Sequence, residues 1–391
     1  MADFQVVWRG PVQDATGYGT ASREYVFALD KQGIDVKIET WSWGLHVKDW
    51  EPGKKAKIKD LMEKPDALSK RKVLVYHSPP WNIDIPKERN KFDRIILNTV
   101  WETSKLPDNW IPIINKFDAV CVPSRHNREA MINSGVKIPV FLVPHGIDIK
   151  KFKPGNQKLP LKQTNGKFVF VSVFEFQHRK NPESLLKAYW EEFTRKDNTA
   201  LVIKTYWGRH KSRMIIDKVL KYKRKLGFGD NTAPLYIISK ILGDKDLRGI
   251  YTLGQVFVLP TRGEGVGLPF MEALSSGIPV IATRWGGQMD FLNERNSFLV
   301  DYTLKNPGSS ASNEYPISPF WRELFAEEGQ LWAEADIHNL KENMRNAYEN
   351  PELCKQKGQQ GREDMFLLSW ERAGNALQKA IEEVIGNRSH T

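Results

Sequence analysis

Cysteine is scarce in this chain: Cys121 and Cys354 are the only two among 391 residues. Neither stands in a Cys-x-x-Cys or Cys/His grouping, which excludes a disulfide framework and a structural zinc site and suits a reducing compartment. No apolar run approaches the roughly 18 residues of a membrane span. The first residues, MADFQVVWRG, lack the basic-then-apolar order of a secretory signal. A cytoplasmic location is expected, at most against the inner face of a membrane. The chain is read as lacking an Asp-x-Asp metal site, so neither a metal nor another cofactor is expected.

What is present is ordinary globular composition, 40% hydrophobic and 27% charged, in a length that favours two domains. Basic residues exceed acidic ones, 58 to 47, for a net charge of +11. The excess is clustered. One run is Lys54, Lys55, Lys57 and Lys59; the other is Lys218, Lys221, Lys223, Arg224 and Lys225. Each reads first as a solvated helix face and second as a peripheral membrane contact. No recognition motif accompanies the charge, so nucleic acid is not an expected partner.

Apolar strand-like runs alternate with helical patterns, which predicts parallel α/β sheets. Strands are expected at Phe4–Trp8, Val36–Thr40, Val73–Tyr76, Arg94–Val100, Ala119–Pro123 and Phe141–Pro144. Ala21–Leu29, Trp110–Lys116 and Arg125–Ser134 are expected helices between them. A polar stretch, Lys150 to Lys167, reads as a linker. A second array follows, with strands at Phe168–Phe174, Ala200–Tyr206, Leu235–Ile238, Gln255–Leu259, Pro279–Ala282 and Phe298–Val300. Its helices are expected at Pro182–Thr194, Lys211–Leu226, Asp246–Leu253, Leu268–Ser276 and Asp336–Glu349. Residues 302–330 look like an irregular insertion, and Ser369–Val384 reads as a last helix.

The stretch from Arg262 to Thr283, RGEGVGLPFMEALSSGIPVIAT, carries the most chemistry. Gly263, Gly265 and Gly267 suit backbone conformations that side chains forbid, and Pro269 suits a first helical turn. Backbone N–H groups at such a turn, with the positive end of the helix dipole, form an anion site. A phosphate facing Glu264 or Glu272 would be repelled, so these carboxylates should face hydroxyls, each able to accept two hydrogen bonds from a diol. The inferred ligand has phosphate in its middle and polyols at its ends, the shape of a nucleotide sugar.

This segment resembles the E-x₇-E motif of the retaining glycosyltransferases of family 4. The likeness covers Glu264 and Glu272, Gly267-Leu268-Pro269, Glu272-Ala273 and Gly277-Ile278-Pro279-Val280. It implies the GT-B fold, an α/β architecture of two Rossmann-like lobes facing each other across a cleft. The N-terminal, acceptor-side domain would be 1–150, with a C-terminal helix at 370–391 packing back on it. The donor domain would be 167–369.

The resemblance also implies roles. Glu264 would orient the donor sugar and Glu272 the ribose, while Gly265, Val266, Gly267 and Leu268 would hold the diphosphate. The family has a Gly-Arg and then a Lys after the first strand of the donor lobe. Lys180 matches the lysine, but Glu175 stands where the arginine is usual, so Arg179 or Lys204 becomes the candidate replacement. The backbone near Ser239 would meet the base. Gly17 and Gly19 resemble the N-terminal glycine loop, with Thr20 or Ser22 as the expected helix cap. His77, at a strand's carboxyl end, is expected near the donor sugar. Trp101, Glu102 and Trp81 are candidates for the acceptor side. His145-Gly146-Ile147-Asp148 resembles the family's hinge and reads as structural.

The implied reaction is front-face transfer with retention, from a GDP- or UDP-sugar to a glycan, lipid-linked or other hydroxyl acceptor in surface polysaccharide or glycoconjugate synthesis. A nucleotide-sugar epimerase of the same fold, and a non-catalytic nucleotide-sugar or glycan-binding protein, are the alternatives.

Overall fold

The computed structural model describes residues 3–207, 212–309 and 317–386. Lys211 of one predicted helix, residues 310–316 of the expected insertion and residues 387–391 of the C-terminal segment lie outside them. The described residues form two compact units. One is the chain up to Gly146 together with the chain from Leu368; the other is Ile147–Leu367.

The first unit holds six parallel strands: β1 (Phe4–Gly10), β2 (Asp35–Thr40), β3 (Arg71–His77), β4 (Arg94–Asn98), β5 (Ala119–Val122) and β6 (Val140–Leu142), in the order β2-β1-β3-β4-β5-β6. The second holds β7 (Phe168–Glu175), β8 (Thr199–Tyr206), β9 (Leu235–Ile238), β10 (Val256–Leu259), β11 (Val280–Thr283) and β12 (Ser297–Val300), also parallel, in the order β12-β11-β10-β7-β8-β9. β5, β10 and β11 are buried at every position. Helices on both faces demand this, and it explains why these strands read as continuous apolar runs.

Predicted strands and observed strands differ only at their ends. One helix start moved further. The first helix begins at Gly17, not Ala21, because Thr16 is its cap: its hydroxyl accepts from the Gly19 amide at 3.1 Å. Neither Thr20 nor Ser22 serves. Among the described helices of ten residues or more, two were given no bounds by the sequence reading. Lys54–Glu63 is the first basic run, and its lysines are paired: Lys54 with Glu24 and Glu51, Lys57 with Asp30, Lys59 with Glu63. Pro351–Met365 is the second. The second basic run lies on helix Ser212–Lys225, where Met214, Ile216 and Leu220 are exposed. Among the described residues no helix is long and apolar enough to cross a membrane.

The expected linker is part of the second unit. Phe152 is buried, its carbonyl accepts from Ser275 Oγ at 2.7 Å, and the Leu159 amide donates to Gly249 O at 2.9 Å. The expected irregular insertion has an ordered base, an antiparallel pair of β13 (Tyr302–Lys305) and β14 (Trp332–Ala335). Alternating polar and apolar residues on β13 conceal a pairing partner that lies about thirty residues away.

Two close approaches fix the helices that matter for the sites. Helix Trp370–Gly386 packs on helix Gly17–Lys31, where a Cβ on Gly374 would lie 2.5 Å from Ala28 Cβ. Helix Pro351–Met365 lies against the turn after helix Leu268–Ser275: a Cβ on Gly358 would sit 2.1 Å from Gly277 O. Arg362 secures the same junction through Ser275 O at 2.6 Å and Phe152 O at 2.8 Å.

Candidate active site

The strand order of the second sheet reverses between β7 and β10. Ligands of α/β sheets sit outside the carboxyl ends of strands at such a point. The segments leaving β7 and β10 therefore converge there, and they carry Arg179, Lys180 and Glu264. Lys180 Nζ donates to Glu264 Oε1, and both side chains are buried. Arg179 Nη1 donates to Gly263 O at 2.5 Å and lies 3.3 Å from Glu264 Oε2. Thr261 Oγ1 is 3.2 Å from Glu264 Oε1. The Arg262 amide, donating to Arg179 O at 2.8 Å, stitches the two segments together.

Burial by itself would raise the Glu264 carboxyl. Lys180 and Arg179 beside it outweigh that and hold it below the usual carboxylate range. Glu264 is thus an anion whose charge is met by two cations. A carboxylate offers about four acceptor positions. Lys180 donates to Oε1 and Arg179 stands beside Oε2, so acceptor capacity remains for a ligand hydroxyl.

Of the three loop glycines, only Gly267 has a positive φ, 86°, and it caps helix Leu268–Ser275. The expectation for Gly263 and Gly265 does not hold. Among the described residues the amides of Val266, Gly267 and Leu268 donate to no protein group, and they stand at the positive end of that helix. Gly286, at φ 106°, supports the loop from behind: a Cβ there would approach Glu264 O to 3.2 Å, and the Gly287 amide donates to that oxygen at 2.8 Å.

Glu272 lies on the same helix, one turn in. Tyr251 Oη donates to its Oε2 at 2.5 Å. Burial pushes its carboxyl up to about 7, against the opposing pull of Tyr251, Lys151 and Lys204. Lys204, at the end of β8, has its Nζ 4.6 Å from the Tyr206 ring centroid, and burial pulls it down to about 8 despite Glu272 and Glu175. Glu175, half-buried at the end of β7, is raised by burial. Ser239 follows β9, the edge strand two places from β7.

A pH effect follows from Glu272. Its folded carboxyl titrates near 7, above its ordinary 4.5, so the folded state binds the proton more tightly. Its contribution to stability is complete below pH 4.5 and is lost as pH rises through 7. Glu272→Gln has no such loss. From pH 5 to pH 8 wild type should fall relative to Glu272→Gln by about 1–3 kcal/mol. Parallel urea titrations at the two pH values check this, and an equal change in both proteins would refute it.

The sequence reading gave Arg262 no role. It is fully buried and forms a two-pronged pair with Glu334, Nε to Oε2 at 2.8 Å and Nη2 to Oε1 at 2.9 Å. Its Nη1 donates to His178 O at 2.6 Å. Glu183, also buried, accepts from the Ile317 amide at 2.9 Å and from Ser318 Oγ at 2.8 Å. The Ala333 amide donates to Arg262 O at 2.8 Å. The returning arm of the insertion is therefore fastened to the segments that carry Lys180 and Glu264. No local spacing signals this, since Arg262 and Glu334 are 72 positions apart.

The first unit has its own switch point, between β1 and β3. His77 ends β3 but does not stand open: it is 1% exposed, Nδ1 meets Asn98 Oδ1 at 2.8 Å, and its ring packs on Trp8 and Tyr18. Burial holds its imidazole down at about 4, so it is neutral at pH 7. Trp101 is core, with Nε1 bonded to Thr103 Oγ1 and Lys105 O, both at 2.8 Å, and its ring against Trp110. That overturns its acceptor-side expectation. Trp81 and Glu102 are half-buried. Gly17 has open space where a Cβ would go, whereas a Cβ on Gly19 would lie 2.1 Å from Asp14 O. Gly19 is thus explained by the turn, not by a ligand. His145 packs between Tyr25 and Trp370.

The chain does contain an Asp-x-Asp tripeptide, Asp244-Lys245-Asp246, contrary to the sequence reading. It occupies the first turn of helix Asp244–Leu253, where carboxylates complement the dipole. Asp244 is paired with Lys151 at 2.6 Å. Among the described residues no group of three His, Cys, Asp or Glu side chains is placed to hold a metal.

Residues 165–309 match the family model described as Glycosyl transferases group 1. Over 75 residues the chain is 40% identical to the sulfoquinovosyl transferase SQD2 of Arabidopsis thaliana, covering 19% of this chain and 14% of that protein. Over 232 residues it is 24% identical to the GDP-mannose-dependent alpha-(1-6)-phosphatidylinositol monomannoside mannosyltransferase of Mycolicibacterium smegmatis, covering 56% and 58%. The chain thus spans less than two thirds of the length of either relative. The crystal structure of Anabaena Alr3699/HepE in complex with UDP and glucose is similar in fold, with a TM-score of 0.65 at 12% identity over 97% of this chain and 99% of that one. The two parallel sheets and this likeness identify the GT-B fold.

Proposed function

We propose that this chain, which carries a glycosyl transferases group 1 segment at residues 165–309 within the GT-B fold, is a retaining, metal-independent hexosyltransferase. It moves a sugar from a nucleoside diphosphate to a hydroxyl of a glycan or lipid-linked acceptor. The observation that carries this reading is the Lys180–Glu264–Arg179 cluster beside the amides of Val266, Gly267 and Leu268 at the β7/β10 switch point. Two cations and a helix N-terminus around one carboxylate suit a ligand with both diphosphate and hydroxyl groups. HepE, similar in fold, is seen with UDP and glucose, and the mycolicibacterial relative depends on GDP-mannose. These support a nucleotide-sugar donor.

The steps follow from charge. As the anomeric bond to the β-phosphate oxygen breaks, negative charge grows on the leaving diphosphate. Lys180 and the loop amides stabilise it where it develops. Glu264 holds Lys180 in place and accepts one sugar hydroxyl with its remaining capacity. The acceptor oxygen attacks from the face the phosphate leaves, and its proton passes to the departing phosphate oxygen. Glu272, once ionised, takes the ribose diol.

The test is a thermal-shift panel of UDP, GDP and their sugars in EDTA at pH 8, where Glu272 is charged. Ligands that bind only the folded state raise the melting temperature. A shift with one base, diminished in Glu272→Ala, is the expected result. Product analysis with that donor should then find the sugar on an acceptor with its anomeric configuration kept. No shift in folded protein, a requirement for added metal, or an altered donor sugar without acceptor would each overturn part of this reading.

A further inference from the structure

The first unit contains a buried carboxylate that the proposed mechanism does not use. Asp14 is fully buried in the turn after β1. Its Oδ1 accepts from Ser42 Oγ and its Oδ2 from the Trp43 amide at 2.7 Å. The two loops are further joined by the Ala15 amide to Leu45 O at 2.6 Å and the Val47 amide to Gln13 O at 3.0 Å. Asp14 is held in turn by Arg23, whose Nη1 donates to its carbonyl at 2.6 Å. A loop fastened by four hydrogen bonds, two of them to a buried charge, has lost its freedom before any ligand arrives.

What the fastening presents is Trp43, a residue 41% exposed. The loop leaves β2 at Thr40, paired in register with Gly10 at the end of β1. Trp43 therefore stands at the carboxyl ends of the strands, beside the switch point of the first sheet. Tyr18 meets it edge-on at 5.7 Å and 82°, and Tyr18 is itself set by Thr99 Oγ1 at 3.2 Å and by the His77 ring at 4.9 Å. The indole is supported on one side and open on another. Ser42 and His46, both exposed and 3.5 Å apart at Oγ and Nδ1, bring a hydroxyl and an imidazole to the same loop. An apolar aromatic surface with such groups on its loop suits the C–H face and the equatorial hydroxyls of a pyranose.

We infer that Trp43 is a stacking platform for a sugar ring of the acceptor, pre-set by Asp14. This rests on the glycosyltransferase reading above and adds a binding residue that the sequence reading passed over in favour of Trp81 and Trp101. A nucleobase would also stack on indole, but the donor groups of that reading belong to the second unit.

The experiment uses the whole protein as wild type, Trp43→Ala and Trp43→Phe. Each is applied to an array of tagged gluco-, galacto- and manno-oligosaccharides, and each is melted with and without UDP and GDP. Wild type should bind at least one oligosaccharide. Trp43→Ala should weaken that binding by about 10-fold or more and Trp43→Phe by no more than about threefold. The nucleotide shift should be equal in all three, which also certifies folding. Unchanged oligosaccharide binding in Trp43→Ala overturns the platform, as does a wild type that responds to nucleotide but binds no oligosaccharide. Loss of the nucleotide shift in Trp43→Ala would reassign the ring to the donor. A wild type that responds to neither ligand overturns the glycosyltransferase reading together with the platform.

Discussion

Lys180→Ala should lower transfer by about 10²–10³-fold and destabilise the second unit by about 3 kcal/mol. Two separate losses combine. The ammonium is held at the glycine loop by Glu264, so the departing diphosphate loses a cation where its charge develops. The same ammonium also neutralises Glu264, which is buried and ionised because Lys180 and Arg179 outweigh its desolvation. Removing Lys180 leaves the buried Glu264 charge compensated by Arg179 alone, and breaking a buried pair costs more than removing both members. Lys180→Ala/Glu264→Gln should therefore recover much of the stability and none of the activity. Urea unfolding and single-turnover kinetics on wild type, Lys180→Ala, Glu264→Gln and the double variant separate the terms. If the double variant is no more stable than Lys180→Ala, the pair is not the buried one described here. If Lys180→Ala transfers at the wild-type rate, Lys180 does not act on the leaving group.

Arg262→Met should cost about 3–5 kcal/mol, the largest effect on stability expected from a single side chain here. It would leave Glu334 and Glu183 buried without the guanidinium that now meets them, and would take that guanidinium from over the Trp332 ring. Arg262→Lys should also be costly, because an ammonium cannot reproduce the two-pronged contact to Glu334 while donating to His178 O. Both variants free the arm that ends in β14 from the segments bearing Lys180 and Glu264. Weakened nucleotide binding should therefore accompany the lowered stability. Unfolding followed by circular dichroism, with nucleotide melts alongside, tests this; a loss below about 1 kcal/mol would contradict the network.

The two arrays of strands were legible in the sequence because buried parallel strands are uninterrupted apolar runs, and because turn residues mark where they stop. Leu235–Ile238 was expected and observed with the same bounds. Helix ends were less legible. Thr16 and Ala21 are both reasonable places to begin a helix, and the choice depends on a hydrogen bond to Gly19 that only the folded turn reveals. Lys54–Glu63 lacks an apolar stripe strong enough to read and is held by ion pairs to neighbouring segments.

The chemistry of the candidate site divides in the same way. Glu264, Glu272, the glycine loop and Lys180 lie in short motifs whose residue types imply phosphate and hydroxyl ligands, so the sequence by itself determined the ligand class to look for and the α/β character of the chain. Tertiary structure decided which groups are partners. It joined Lys180 to Glu264 across 84 positions and Asn181 to Glu334 across 153. It sent Trp101 into the core and left Trp43 in the open. A local pattern encodes strand period and turn chemistry, because those act between neighbours in the chain. Charge pairing and burial depend on what folding brings alongside, and that is settled only when β7 and β10 lie side by side and Asp14 closes over the loop that follows β2.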